Sequence, residues 1–230
     1  MKITWLGQAG LLFETCNKKI LVDPYLSDSV KAVNPKNYRR VPVDDRFLKV
    51  KPDVLIVTHN HLDHLDPETL PHYFSEDSSF LVLAPDGSWQ QLRTSFPNTS
   101  CNYVLFNNGT TWSEEGVTFR AVKAEHSDAG AIGVIISAEG KNYYVTGDTL
   151  YNEKVFESLP PSLDLYAVFL PVNGVGNNMN FRDGVNFVER VGARYAVPFH
   201  CGMFDSIDLS LFPLENKIVP TIYEEIVFPS

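Results

Sequence analysis

Thr58-His59-Asn60-His61-Leu62-Asp63-His64-Leu65-Asp66 is the stretch that decides the fold, because it places three histidines and two aspartates within eight residues. The apolar run Asp53-Val54-Leu55-Ile56-Val57 precedes it and predicts a buried strand. The segment that follows predicts a helix over 67–75, with Asp66 as its N-cap and Pro67 as its first residue. The cluster is therefore expected in a loop after the carboxyl end of a strand, the edge at which open α/β sheets bind ligands.

The residue types in this loop indicate metal binding. Neutral imidazole and carboxylate are the usual ligands of zinc, iron and manganese where thiolate is absent. His59 and His61 are two residues apart and point to the same side of an extended segment, whereas Asp63 and His64 follow at a turn. This spacing favours two adjacent metal positions over one. The alternative, a solvated loop, gives no reason for so many ligand-type residues directly after a buried strand.

The THNHLDHLD sequence resembles the His-x-His-x-Asp-His signature of the metallo-β-lactamase-fold hydrolases. The motif has an aspartate two residues after its last histidine. In this it resembles the branch that includes L-ascorbate-6-phosphate lactonase and the N-acyl-phosphatidylethanolamine phospholipase D-like enzymes. The opening WLGQAG at 5–10 and the PFHCGMF sequence at 198–204 are also similar to that branch. The resemblance implies an α/β fold, a four-layer αββα sandwich of two mixed sheets packed face to face with helices outside, in a single domain over 1–230.

The alternation of elements along the chain is typical of an α/β layered fold. The strands are predicted at 2–6, 10–15, 19–23, 53–57, 80–84, 103–105, 116–124, 131–138, 141–146, 163–170 and 194–199. Besides 67–75, helices are predicted at 44–49, 86–95 and 181–191.

Composition limits the partners. Apolar residues make up 44% and charged residues 20% of the 230 residues, and the net charge is −9. Without a basic run, binding to nucleic acid or to a membrane surface is not expected.

Three widely spaced cysteines, Cys16, Cys101 and Cys201, favour a reducing compartment. We found no stretch suited to a signal peptide or a bilayer span, so the expected location is cytoplasmic.

Three further strand ends carry ligand-type residues: His126 after 116–124, Asp148 after 141–146 and His200 after 194–199. A lone histidine at a strand end is often structural, and an aspartate beside glycine is often a turn residue. The resemblance instead implies that His126 is a ligand of the first metal, that Asp148 bridges two metals and that His200 is the last ligand of the second.

Carried over by the resemblance, metal one is held by His59, His61, His126 and Asp148, and metal two by Asp63, His64, His200 and Asp148. The ions are one or two divalent cations, Zn²⁺, Mn²⁺ or Fe²⁺, because a histidine–carboxylate set suits all three. The expected chemistry is attack by a metal-bound hydroxide, with Asp63, Asp148 and His200 as the catalytic residues.

The glycine-rich loop 173–180 leads into the predicted helix at 181–191, and such a helix start can hold an anion. The lactonase branch has a similar segment near its active site. Asn178, Asn180 and Arg182 are therefore the candidate substrate contacts, although Arg182 fits an ordinary helix surface equally well.

Several other polar residues have two interpretations each. Asp23 is either a turn residue before Pro24 or, as the resemblance suggests, a group that orients a ligand histidine. Arg39 and Arg40 are either a solvated pair, which is favoured, or contacts for an anionic substrate. The acids that flank His126 either support the metal site or are plain loop residues; they are Glu125 and Asp128. His72 is expected to be a surface or packing residue and Cys201 a buried thiol.

The sequence thus predicts a metal-dependent hydrolase, lactonase- or esterase-like, that acts on a small ester or lactone with or without a phosphate group. One alternative is a phosphodiesterase, phospholipase D-like or nuclease-like. Another is a non-catalytic metal-binding protein on the same fold. The expected partner is a small-molecule substrate, for which an anionic group is one option, and homo-oligomerisation is left open.

Overall fold

A computed structural model describes residues 1–229 and contains two six-stranded sheets. The strands of the first sheet follow one another in chain order, and they are β1 Lys2–Gly7, β2 Gly10–Thr15, β3 Lys18–Val22, β4 Val54–Ile56, β5 Leu81–Ala84 and β6 Asn102–Leu105. The strands of the second sheet also follow chain order, and they are β7 Thr111–Glu114, β8 Val117–Lys123, β9 Ile132–Ala138, β10 Lys141–Val145, β11 Ala167–Pro171 and β12 Tyr195–Phe199.

Both sheets are mixed in the same way. β1, β2 and β3 pair antiparallel, and β3 to β6 pair parallel. In the second sheet β7 to β10 pair antiparallel, and β10 to β12 pair parallel. The parallel strands of each sheet end at a common edge, so the residues that follow them are brought together.

The two sheets pack face to face over one apolar core. Phe13 of β2 meets Phe169 of β11 edge to face, with ring centroids 5.8 Å apart, and both rings are fully buried. Burial of a side chain of this size stabilises the fold by about 1.5–3 kcal/mol. The inward-facing residues of the strands therefore form the hydrophobic core between the two sheets.

Residues 1–229 also form five α-helices, and they are α1 Ser29–Val33, α2 Asp45–Leu48, α3 Asp86–Ser95, α4 Glu153–Ser158 and α5 Phe181–Val191. Leu92 of α3 belongs to a second apolar cluster on the outer face of the first sheet. Phe187 of α5 packs against Tyr144 of β10 on the second sheet, with ring centroids 6.1 Å apart. The α/β fold with two mixed sheets and outer helices is confirmed.

The predicted helix at 67–75 is wrong, because only a 3₁₀ turn at Leu70–His72 forms there. Pro71 lacks the N–H that a continuing helix needs. The Asp66 carboxylate accepts hydrogen bonds from Ser29 Oγ at 2.8 Å and from Glu68 N at 3.1 Å, so it ties this loop to a distant segment. His72 is exposed, as expected.

Strand β7 and helices α1 and α4 were not predicted. Apolar and polar residues do not alternate clearly in β7, which is an edge strand held by its pairing with β8. Helix α4 is only six residues long, and it starts where the side chain of Asn152 accepts a hydrogen bond from Lys154 N. Within residues 1–229, no helix has the length and apolar character needed to cross a bilayer.

Candidate metal centre

Four loops that follow strands meet at one place. The loop after β4 carries four of the predicted ligands, and the loops after β8, β10 and β12 carry one each. The imidazole nitrogens and carboxylate oxygens of all seven fall into three overlapping groups whose atoms lie within 4.8 Å of one another. The seven residues are His59, His61, Asp63, His64, His126, Asp148 and His200.

The first group contains His59, His61 and His126. Nε2 of His126 lies 3.1 Å from Nδ1 of His61. The ring centroid of His59 lies 4.6 Å from that of His61 and 4.8 Å from that of His126. Three imidazoles so arranged present nitrogen atoms to one point, as the ligands of a metal ion do.

The second group contains Asp63, His64 and His200. Nε2 of His200 lies 3.3 Å from Nε2 of His64 and 3.4 Å from Oδ2 of Asp63. A third group, His59, His64 and Asp148, joins the other two, so the division of the ligands between two metal positions stays a prediction.

Asp148 lies between the two groups. Its Oδ1 is 3.1 Å from Nε2 of His200 and 3.4 Å from Nε2 of His64, and its Oδ2 is 3.9 Å from Nε2 of His126. One carboxylate thus faces both groups, with one oxygen towards each. This is the position that the resemblance implied for a bridging ligand.

Two buried atoms in the centre test whether a cation fits there. Nε2 of His59 and Oδ1 of Asp148 are buried and have no hydrogen-bond partner among the described residues. A buried polar atom without a partner costs about 1–3 kcal/mol, so such atoms are rare unless something else satisfies them. A divalent cation would satisfy both, and the residues present fit that group.

The carboxylates of the centre stay ionised in the metal-free protein. Burial alone would raise the pKa of Asp148, but His200 and His64 outweigh it and hold that pKa well below the usual range. The pKa of Asp63 is lowered in the same way, because the same two imidazoles outweigh its burial. Ionised carboxylates are the form that binds metal.

The histidines divide into two kinds. Burial would lower the pKa of His64, but Asp148, Asp23 and Asp63 together outweigh burial and raise that pKa well above the usual value. The pKa of His200 is also raised, since Asp148 and Asp63 outweigh its burial. The pKa of His59 is instead held well below the usual value by its burial, with the neighbouring His64 adding to the effect.

Asp23 orients the loop that carries the first ligands. Its Oδ1 accepts a hydrogen bond from Thr58 N at 2.7 Å, and its Oδ2 accepts one from Thr58 Oγ1 at 2.6 Å. The same Oδ2 lies 2.7 Å from Nδ1 of His64. Of the two interpretations of Asp23, these contacts support the one in which it orients a ligand histidine.

The three predicted substrate contacts lie in different surroundings. Asn178 is buried and lines the cavity; its Nδ2 donates to Oδ2 of Asp148 at 2.8 Å, and its Oδ1 accepts from Thr149 N at 3.0 Å. Asn180 is the N-cap of α5, where its Oδ1 accepts from Asp183 N at 3.0 Å. Arg182 is exposed on α5. Their role in substrate binding stays a prediction, and neither Asn180 nor Arg182 is among the cavity-lining residues.

Gln8 is a polar residue of the site that the sequence interpretation missed. Its Nε2 donates to Oδ2 of Asp63 at 2.9 Å and lies 3.3 Å from Nδ1 of His200. Asn173 also approaches His200, with Nδ2 at 3.2 Å from Nδ1. Gln8 lies in a Gly-Gln-Ala-Gly turn, which by itself indicates only a turn.

Three other candidates have contacts that fit a structural role, whereas Glu125 has a buried Oε2 without a partner among the described residues and keeps both interpretations. Asp128 accepts hydrogen bonds from Asn60 N at 3.1 Å and Gly130 N at 2.8 Å, so both its oxygens hold loop backbone. Arg39 is half-buried and donates from Nη1 to the carbonyl of Tyr25 at 2.7 Å. Cys201 is fully buried, as predicted, and its burial raises the pKa of the thiol to about 12.

A cavity of about 650 Å³ opens directly onto the centre. This volume is ordinary for a site that binds a small molecule. Its lining consists of Gln8, Val30, Asn37, His61, Asp63, Ser127, Asp148, Asn173, Val175, Gly176, Asn177, Asn178, His200, Phe204 and Asp205.

Relatives and solved structures resemble the chain over most of its length. A UPF0173 metal-dependent hydrolase of Methanosarcina mazei is 29% identical over 90% of this chain and 86% of its own length. The structure of a metallo hydrolase from the archaeon Ignicoccus hospitalis has a TM-score of 0.77 at 19% identity and covers 100% of this chain and 98% of its own. That of an isothiocyanate hydrolase from Delia radicum gut bacteria has a TM-score of 0.74 at 19% identity, with 100% of both chains covered.

The family assignment rests on a match that covers most of the sandwich. The family model described as a Beta-lactamase superfamily domain matches residues 18–201, which include all seven ligand-type residues and ten of the twelve strands, β3 to β12. Together with the metallo-β-lactamase fold of the structure, this match shows that the chain belongs to the β-lactamase superfamily.

Proposed function

We propose that the protein is a metal-dependent hydrolase that cleaves a small ester or lactone at the centre formed by the four loops. The observation that carries the proposal is that seven ligand-type residues converge there while Nε2 of His59 and Oδ1 of Asp148 are buried without a partner. These ligands border a cavity of substrate size. Catalysis needs such open access to the metal, whereas a structural metal site is closed by its protein ligands.

His59, His61 and His126 would hold one divalent cation and Asp63, His64 and His200 a second, with Asp148 facing both. When bound, such cations lower the pKa of a coordinated water and polarise the carbonyl oxygen of an ester. Zn²⁺, Mn²⁺ and Fe²⁺ all suit these ligands.

The protein side chains provide orientation and proton transfer. Gln8 fixes Asp63 through Oδ2, and Asn178 fixes Asp148 through Oδ2. Asp63 and His200 both reach the cavity wall, where the Asp63 carboxylate is placed to accept a proton from water. The sequence prediction names these two residues, together with Asp148, as the catalytic residues.

Two findings support hydrolysis over other chemistry. Two relatives, from Methanosarcina mazei and Thermoplasma volcanium, carry the name metal-dependent hydrolase, and their similarity extends over 90% and 98% of this chain. The lactonase-like motifs at the start of the chain and after β12 both lie at the centre, since Gln8 and His200 come from them. The preference for esters and lactones rests on the second of these.

The test combines metal analysis with a panel of substrates. The wild-type protein, loaded separately with Zn²⁺, Mn²⁺ and Fe²⁺, would be assayed against lactones, carboxylic esters and phosphodiesters. We expect hydrolysis of esters or lactones, and its loss in an Asp148→Ala variant, because that substitution removes the carboxylate shared by both groups. His72→Ala is the matched control, since this exposed histidine lies outside the centre.

The outcomes separate the alternatives. Turnover of phosphodiesters but not of lactones or esters would favour a phosphodiesterase. Metal binding with no turnover of any class would favour a non-catalytic metal-binding protein.

A further inference from the structure

We propose that the natural substrate is uncharged apart from its reacting group and carries a short apolar arm that packs against Val30, Val175 and Phe204. This inference rests on the proposed hydrolase function and specifies the class of ester or lactone. It rests on the chemistry of the apolar, amide and charged side chains that line the cavity.

The apolar part of the lining comes from two loops and from helix α1. Val175 is 62% exposed although it lines the cavity, and it lies between Gly174 and Gly176, both of which have positive φ. The loop is held by hydrogen bonds from Gly174 N to Met179 O at 2.9 Å and from Asn178 N to Val175 O at 3.2 Å. An exposed valine on a hydrogen-bonded loop beside the reacting centre is placed to meet an apolar ligand.

The other two apolar residues are fixed in place. Phe204 lies edge to face with the buried ring of Tyr25, with centroids 5.8 Å apart, and it is partly open to the cavity. Val30 is in α1 and is also partly buried. Together with Val175, these side chains give the cavity an apolar patch suited to a short alkyl chain.

The charged side chains that line the cavity are carboxylates, apart from the two histidines of the centre. The described residues that line the cavity include no lysine or arginine, whereas Asp205 contributes a carboxylate whose Oδ1 accepts from Gly202 N and Ile207 N. Divalent cations at the centre would neutralise charge on the reacting group, but not on a phosphate or carboxylate further out. A charged group buried without a partner is strongly disfavoured.

The two arginines that precede the cavity loops are already engaged. The guanidinium of Arg39 donates to the carbonyl of Tyr25 and to the hydroxyl of Tyr223. Arg40 is exposed, donates from Nη2 to the carbonyl of Phe204 at 3.3 Å and lies over the ring of Tyr38. Because Arg40 is exposed and contacts the cavity-lining Phe204, it is the cation that could bind an anionic substrate, and the experiment includes a variant of it.

The polar part of the lining suits an uncharged ester. The side-chain amides of Asn37 and Asn177 line the cavity and make no hydrogen bond with the described part of the chain. Amide groups can donate to a carbonyl oxygen or accept from a hydroxyl group without requiring charge on the ligand. Uncharged esters and lactones offer such groups, so the amides and the apolar patch favour the same class.

The experiment compares two esters of similar length that differ in charge. The metal-loaded protein is assayed with 4-nitrophenyl butyrate and with mono-4-nitrophenyl succinate, whose acyl chain ends in a carboxylate. We expect kcat/KM for the butyrate to exceed that for the succinate by about tenfold or more, because the carboxylate has no partner in the cavity. Equal or preferred use of the succinate would overturn the proposal, and loss of that preference in Arg40→Gln would identify Arg40 as the reason.

A pair of variants tests the apolar patch. Val175→Ser is expected to raise KM for the butyrate about threefold to tenfold with a smaller change in kcat, as loss of methyl contacts does. Val33→Ser is the matched control, because Val33 is 78% exposed and is not among the lining residues. The same kinetics in both variants would overturn the role of Val175.

The result also distinguishes this proposal from the one on which it rests. Hydrolysis of both esters without discrimination leaves the hydrolase function standing and removes the uncharged-substrate inference. No turnover of either ester by the metal-loaded protein, together with no turnover of lactones, removes both.

Discussion

Oδ2 of Asp23 lies 2.7 Å from Nδ1 of His64, and both side chains are almost completely buried. In neutral His64, the Nδ1–H group donates a hydrogen bond to this carboxylate. The lone pair of Nε2 then faces Asp148 and His200. The same carboxylate holds Thr58 N and Thr58 Oγ1. One aspartate at the end of β3 thus fixes the start of the ligand loop and the orientation of a ligand in it.

Asp23→Asn should weaken metal binding about 10–100-fold, because the amide no longer provides the negative charge that holds the Nδ1 proton of His64. The measurement is competition with a chelator of known affinity. Asp128→Asn is the matched control, since its carboxylate contacts the backbone of the same loop but no ligand histidine. Wild-type metal affinity in Asp23→Asn would show that the aspartate acts only as a turn residue.

Gln8→Leu should weaken the second group of ligands more than the first, because Gln8 donates to Asp63 and approaches His200 but contacts no member of the first group. We expect one of the two binding steps to weaken by about tenfold and the other to stay near wild type. Calorimetric titration with metal resolves the two steps. Equal weakening of both would indicate a general loss of structure.

The ligand-type residues could be predicted because each follows a clear strand and because the resemblance implied that these strand ends share one metal site. His59, His126, Asp148 and His200 each follow a strand whose apolar run is clear in the sequence, and three of these strands are parallel to a neighbour. Parallel strands of one sheet end at a common edge, which places Asp148 and His200 together, whereas their approach to His59 across the two sheets was expected only from the resemblance.

The residues that support the ligands could not be predicted in the same way. Gln8 contacts Asp63 across 55 positions and Asn178 contacts Asp148 across 30, and nothing in the local sequence reports which distant side chain a turn residue faces. The helix predicted at 67–75 failed for a related reason. The acid expected to be its cap, Asp66, is instead bonded to Ser29 on another loop, a tertiary contact that outweighs local preference.

Gly147→Ala should destabilise the protein more than Gly140→Ala. Both glycines have positive φ, which costs an alanine about 1–2 kcal/mol. An added Cβ at Gly147 would also lie 2.6 Å from the carbonyl oxygen of Ile132, whereas nothing lies within 4 Å of one added at Gly140. The difference in unfolding free energy should be at least about 1 kcal/mol, measured by denaturant titration of the metal-free proteins. Equal losses would mean that backbone conformation alone decides both sites.

Cys201 should resist thiol reagents in the folded protein while Cys16 reacts. Cys16 is exposed, whereas Cys201 is fully buried and its burial raises the pKa of its thiol to about 12, so the reactive thiolate is scarce near neutral pH. Titration with an aromatic disulfide, followed by mass spectrometry, identifies the modified residue. The expected order is Cys16 first and Cys201 only after unfolding; early labelling of Cys201 would show that the end of β12 opens readily.

Metal binding near neutral pH should release protons. The pKa values of His64 and His200 are raised in the metal-free protein, by carboxylates that outweigh burial, so both imidazoles hold protons at pH values where free histidine has lost most of its own. The stabilising effect of these protons is fully present below about pH 6.5, the unfolded pKa, and is lost as pH rises through the higher folded pKa values. A cation needs neutral imidazole, so its apparent affinity should instead rise with pH over that same window.

His59 and His126 contribute little to this release, because burial lowers their pKa values and they are already neutral at that pH. Calorimetric titration with metal in two buffers of different ionisation enthalpy counts the protons, and we expect up to two to be released as the second ligand group is filled. An enthalpy that is the same in both buffers would show that His64 and His200 are neutral before the metal binds, and that the carboxylates around them do not hold the protons that the geometry assigns to them.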